Sequence, residues 1–136
     1  TLAPQARIGL VAQESPSRDE RSTHTVYESR LQDIRAQDPG ASTVSLRSLG
    51  LLSAAELSKP VAELSMGQQR RLDIALALAG RPHVLLLDEP TNHISITLVE
   101  ELTDAFGNTK AAIALVTHDR QLRRDLAGWP NLDLAL

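Results

Sequence analysis

Apolar positions change their rhythm about halfway along the chain. Arg7-Ile8-Gly9-Leu10-Val11-Ala12 is a short apolar run ending in Gln13-Glu14-Ser15-Pro16, which predicts a buried strand feeding a loop. From about Ser17 to Glu63 the texture turns polar and helical. Thr23 to Ala36 sets Val26, Leu31 and Ile34 on a weakly amphipathic face, and Asp38-Pro39-Gly40 stops it. Ser42 to Leu49 predicts a second, short helix closed by Gly50. Ser53-Ala54-Ala55-Glu56 is a capping-box pattern opening a third, which ends near Lys59-Pro60.

Beyond this point helical periods alternate with continuous Val/Ile/Leu runs, the mark of parallel strands covered on both faces. Ser65 with Gln68 forms another capping-box pattern, opening a helix through Arg71, Leu72, Ile74, Leu76 and Leu78 that Gly80 ends. Val84-Leu85-Leu86-Leu87 predicts a buried strand with Asp88 and Glu89 at its carboxyl end. Ser95 can cap a helix carrying Leu98, Val99, Leu102 and Phe106. Ala111 to Thr117 repeats the strand pattern with His118 at its end, and a helix from Asp119 to Leu126 and a strand from Leu132 follow. The expectation is an α/β fold with a helical insertion.

Composition narrows the class only a little. In 136 residues, 42% hydrophobic and 23% charged are ordinary values for a globular domain, and no apolar run nears the length of about 20 residues that spans a bilayer. The start, Thr1-Leu2-Ala3-Pro4-Gln5, carries neither a basic leader nor a long apolar core. The absence of cysteine excludes a disulfide framework and thiolate metal sites, and together these features favour a cytoplasmic setting. A net charge of −3 argues against a broadly basic nucleic-acid surface.

Candidate chemistry gathers where strands end. Ligands of open α/β sheets collect at the carboxyl ends of the strands, where Gln13, Asp88 with Glu89, and His118 are expected. Adjacent carboxylates can divide labour, one holding Mg²⁺ and the other orienting or deprotonating an attacking water. Each also has a plain reading, as a solvated strand end or a surface cap. In Leu64-Ser65-Met66-Gly67-Gln68-Gln69-Arg70-Arg71 a serine and a glycine at a helix start present a hydroxyl and unsatisfied amides to an anion. From the pattern alone, Ser65 and Gln68 serve equally well as caps and nothing more.

Leu64-Ser65-Met66-Gly67-Gln68-Gln69 resembles the signature motif of ATP-binding cassette proteins, with Met66 where a second glycine is commoner. Val84 to Pro90 resembles the family's Walker B strand, Thr117-His118-Asp119 resembles its switch-histidine segment, and Gln13 stands in the place of the Q-loop glutamine. The order and separations match. The resemblance implies an α/β fold that is part of a P-loop NTPase sheet, with a helical subdomain over about 14–64 and the C-terminal part of the core over about 65–136. It implies ATP and Mg²⁺ as cofactors, with Glu89 and His118 catalytic, Asp88 and Gln13 at the metal, and Gln13, Ser65, Gly67, Gln68 and Asp88 binding nucleotide. Ser65, Gly67 and Gln68 would touch nucleotide held by a partner cassette.

Thr91-Asn92-His93 with His118-Asp119-Arg120 is similar to the ABC-F class, which joins two cassettes in one polypeptide without a membrane domain and includes ribosome-acting translation and antibiotic-resistance factors. Partners implied are the other cassette of the same polypeptide and the ribosome. Two other readings stand beside it: an ATPase subunit of a membrane transporter, and a non-catalytic fragment retaining only fold and binding surface. Neither Lys59 nor Lys110 sits in the Gly-x-x-x-x-Gly-Lys pattern that wraps phosphates. The expectation is therefore a cassette without its phosphate-binding part, inactive alone and prone to self-association through an uncovered sheet.

Overall fold

The computed structural model describes residues 6–11, 17–88, 100, 112–117 and 120–131. Among these residues three strands form one parallel sheet in the order β1-β2-β3, with β1 at Ile8–Val11, β2 at Val84–Asp88 and β3 at Ala112–Val116. Register pairs Gly9 with Leu85, Leu85 with Ile113, and Asp88 with Val116. One face of the sheet therefore carries Gly9, Val11, Leu85, Leu87, Ile113 and Leu115, because side chains alternate along each strand. That face is the buried one.

The opposite face differs from the expectation of strands covered on both sides. Ile8 is 52% exposed, Leu10 58% and Val116 44%, so β1 buries only alternate residues. A continuous apolar run gives no indication whether the second face of its sheet is covered. Gly9 has a sharper explanation: a Cβ there would lie 2.9 Å from the Ala77 carbonyl oxygen, so β1 approaches the neighbouring helix more closely than any other residue allows.

Helix α1, Thr23–Gln37, starts at Ser22, whose side chain accepts from the Thr25 amide. Its buried stripe is Thr23, Tyr27 and Leu31, one residue per helical turn, with Val26 and Ile34 only partly buried beside it. Tyr27 is fully buried and donates its hydroxyl to the Val44 carbonyl at 2.6 Å. That bond and the Val44 amide to the Ala79 carbonyl at 3.1 Å pin residue 44 outside a helix. Helix α2 accordingly begins later than its sequence suggests, at Leu46–Leu49, capped by Ser45 and closed by Gly50 in the left-handed region. Helix α3, Ala54–Leu57, has the expected capping box.

Residues 19–23 then run antiparallel to residues 59–62, through bonds from the Thr23 amide to Lys59, Val61 to Arg21 and Ala62 to Asp19. A 3-10 turn at Val61–Glu63 leads into helix α4, Met66–Leu78, which ends at Ala79, just short of Gly80. Helix α5 covers Arg120–Asp125. One hydrophobic cluster joins Tyr27 and Leu31 of α1, Leu72, Ile74 and Leu78 of α4, and Leu85 and Leu87 of β2. The helix expected after Ser95 and the strand expected from Leu132 lie outside the described residues.

Candidate functional site

The start of α4 is the best-defined polar site in the described chain. Ser65 is extended, with φ −63° and ψ 164°, as an N-cap requires. Its Oγ accepts from the Gln68 amide at 3.1 Å, while Gln68 Oε1 accepts from the Ser65 amide at 2.8 Å, completing a capping box. Accepting in this way leaves the hydroxyl hydrogen of the exposed Ser65 available as a donor. A Cβ on Gly67 would meet nothing within 4 Å, so the space above the first turn is open. First-turn amides have no carbonyl partner within their own helix. Hydroxyl donor, amides and the positive end of the helix dipole fit a phosphate arriving from outside this chain.

A second set of contacts lies behind the first. Gln68 Nε2 donates to Glu56 Oε1 at 2.8 Å, and Glu56 Oε2 accepts from the Ser53 amide at 2.6 Å. The capping boxes of α3 and α4 are thereby joined through one carboxylate. Partial burial pushes the Glu56 carboxyl up, but the Ser53 amide, the Gln68 amide group, the Ser53 hydroxyl and the charge of Arg71 outweigh it and hold it below the ordinary glutamate range. Gln69 is buried and points the other way: its Oε1 accepts from the Ser17 amide at 2.9 Å, and its Nε2 donates to the Val61 carbonyl at 2.9 Å. Gln69 thus fastens α4 to both antiparallel segments.

At the sheet, Asp88 ends β2 half-buried, opposite Val116 of β3, and Leu87 pairs with Val11 of β1. The carboxyl ends of the three strands are therefore brought to one edge; in the sequence Gln13, Glu89 and His118 come after β1, β2 and β3. Those three residues lie outside the described part. Among the described residues no cluster of His, Cys, Asp or Glu could hold a metal by itself, so Asp88 is the one described member of the expected metal set. No described helix is long and apolar enough to cross a membrane.

Sequence reasoning singled out Ser65, Gly67 and Gln68 but not the residues that brace them. Glu56 was visible only as a cap for its own helix, and Gln69 only as a letter of the motif. Their partners, 12 and 52 residues away, leave no local pattern.

Comparison with known proteins agrees with the motifs. The family model described as "ABC transporter" matches residues 2–92. The chain is 48% identical over 81 residues to the tylosin resistance ATP-binding protein TlrC of Streptomyces fradiae, covering 60% of this chain and 15% of that protein. It is 41% identical over 71 residues to the energy-dependent translational throttle protein EttA of Mycobacterium tuberculosis, covering 52% of this chain and 13% of that protein. Among solved structures, a dimeric ATP-binding cassette in a post-hydrolysis state bound to ADP and Pi superposes with a TM-score of 0.59 at 25% identity, over 88% of this chain and 56% of that one. The chain thus spans well under a fifth of the length of these curated relatives.

Proposed function

The chain belongs to the ABC transporter family of ATP-binding cassettes, and on that premise we propose that it is part of an ATPase cassette in a longer ABC-F-type protein that acts on the ribosome in antibiotic resistance or translation. The observation that carries the reading is the start of α4, where Ser65 offers a donor hydroxyl and Gly67 leaves its surroundings open. Similarity to a tylosin resistance protein and to a translational throttle protein supports the finer assignment, together with a cytoplasmic setting. Residues of about 14–64 make up the helical subdomain in this reading, and about 65–136 belong to the core.

When bound, ATP with Mg²⁺ supplies the phosphoryl group and the cation that neutralises its charge. The chain's own contributions divide between its two ends of interest. Ser65 and the amides around Gly67 hold a phosphate presented by the other cassette of the same polypeptide. At the sheet, Asp88 and Gln13 would hold the metal, Glu89 would accept a proton from water, and His118 would contact the phosphoryl group. Without the Gly-x-x-x-x-Gly-Lys pattern the 136-residue chain by itself neither binds ATP tightly nor hydrolyses it.

The test is made in the longer protein. Glu89→Gln keeps the shape of the side chain and removes the base, so turnover is expected to fall about a hundred-fold or more while nucleotide binding persists. Unchanged turnover removes Glu89 from the reaction. ATP hydrolysis that depends on reconstituted membrane subunits instead of ribosomes would favour a transporter subunit.

A further inference from the structure

We propose that Glu56 is a positioning residue for the start of α4, setting the direction of the Gln68 carboxamide so that Gln68 braces Ser65 from behind and does not itself touch nucleotide. The inference rests on the proposed function for its consequence and on this chain's own hydrogen bonds for its geometry. An ionised carboxylate only accepts, so the Gln68 group facing Glu56 Oε1 at 2.8 Å is its NH₂. Its Oε1 is then fixed toward the Ser65 amide, where it accepts at 2.8 Å. The opposite orientation would set an NH₂ against an N–H at Ser65 and an oxygen against a carboxylate at Glu56.

Fixing that amide decides what Ser65 can do. Once Gln68 Oε1 holds the Ser65 amide, the first turn closes and the Gln68 amide donates to Ser65 Oγ at 3.1 Å. Ser65 Oγ is then an occupied acceptor whose hydrogen is left for an incoming oxygen. Glu56 is itself held: its second oxygen accepts from the Ser53 amide at 2.6 Å, and the charge of Arg71 favours the ionised form. The bonds run unbroken from Ser53 to Ser65 and converge on the Glu56 carboxylate, which accepts from both neighbours.

The middle bond of this chain can be reversed while both outer bonds keep their direction. Glu56→Gln alone can accept from Ser53 but then meets Gln68 with a second NH₂, and Gln68→Glu alone sets two carboxylates together. In the double variant Glu56→Gln/Gln68→Glu, the new Gln accepts from Ser53 and donates to the new Glu, which accepts from Ser65. All three bonds return with the charge moved.

The experiment uses the longer protein that carries this cassette, with two readouts. Hydrogen exchange over residues 65–69 reports the capping geometry without requiring activity, and ATP turnover reports its use. Each single variant is expected to speed exchange there and lower kcat about ten-fold, as loss of a charge-assisted bond implies, with little change in the affinity of a nonhydrolysable ATP analogue. The double variant is expected to return both to within about two-fold of wild type. Exchange unaltered in both single variants overturns the bracing role. Restored exchange with turnover still lost overturns the inference too, since it assigns Gln68 to the nucleotide. If the wild-type protein hydrolyses no ATP, the proposed function fails while exchange still decides the geometry.

Discussion

The start of α4 and the free face of the sheet are both exposed, yet they are finished to different degrees. At α4 every hydrogen-bonding group behind the exposed hydroxyl has a partner inside this chain: Ser65 with Gln68, Gln68 with Glu56, Glu56 with Ser53, and Gln69 with Ser17 and Val61. On the sheet, Ile8 and Leu10 stand 52% and 58% exposed. A self-contained brace can present a site to a ligand carried by another body, whereas an apolar face half in water has no chemistry until something covers it. The difference separates a surface whose polar groups are satisfied from one whose apolar side chains stand in water.

Ile74→Ala is the most severe way to break the contrast. Ile74 is fully buried in the cluster joining α4 to β2, so truncation should cost about 2–5 kcal/mol, the range for a large aliphatic side chain replaced by alanine in a core. Urea unfolding followed by circular dichroism measures it. A cost under about 1 kcal/mol would mean that α4 is held by its polar start and not by the sheet's buried face.

Gln69→Leu tests the brace itself, at a smaller cost. The substitution keeps most of the volume but leaves the Ser17 amide without its partner and the Val61 carbonyl with the Leu64 amide alone, a penalty of about 1–3 kcal/mol. Hydrogen exchange should accelerate in residues 17–22 and 59–64 more than in the strands. Uniform acceleration throughout would show that Gln69 contributes to overall stability and fastens nothing in particular.

These effects separate what local pattern reveals from what it hides. Both capping boxes are readable because Ser53 with Glu56 and Ser65 with Gln68 are three residues apart, within one turn. The β2 and β3 runs are readable because long apolar stretches bounded by breakers have few alternatives. Tyr27 escapes notice as the centre of α1, since its burial depends on a carbonyl at Val44 that lies 17 residues away. The Glu56 to Gln68 contact is hidden for the same reason. Which side chains of β1 stand exposed is not readable from its apolar run, because such a run gives no indication whether the second face of its sheet is covered.

Acid offers a milder probe of the brace. Glu56 is held below its ordinary value of 4.5 by its hydrogen bonds and by Arg71, against the opposing effect of partial burial. A lowered folded-state value contributes stability that is full above the unfolded value and is lost as pH falls through the folded one. The stability gap between wild type and Glu56→Gln should therefore narrow as pH drops below 4.5. Urea midpoints of the two proteins across that window check it, and a gap independent of pH would mean that the charge of Glu56 plays no part.

The smallest effect is expected where the contrast began. Leu10 lies on the free face of β1, where a change to threonine keeps strand propensity and removes apolar surface already in water. In the 136-residue chain the cost should stay within about 0.5 kcal/mol, as for other surface positions. Self-association, followed by sedimentation, should weaken, because the uncovered face is the proposed route to it. In a protein carrying the rest of the cassette the same side chain would be covered, and exposing its place to a hydroxyl should then cost about 2 kcal/mol, the transfer value of a buried leucine. The two measurements must therefore differ in size. Equal small costs in both proteins would mean that nothing covers this face, and that its exposure belongs to the finished molecule.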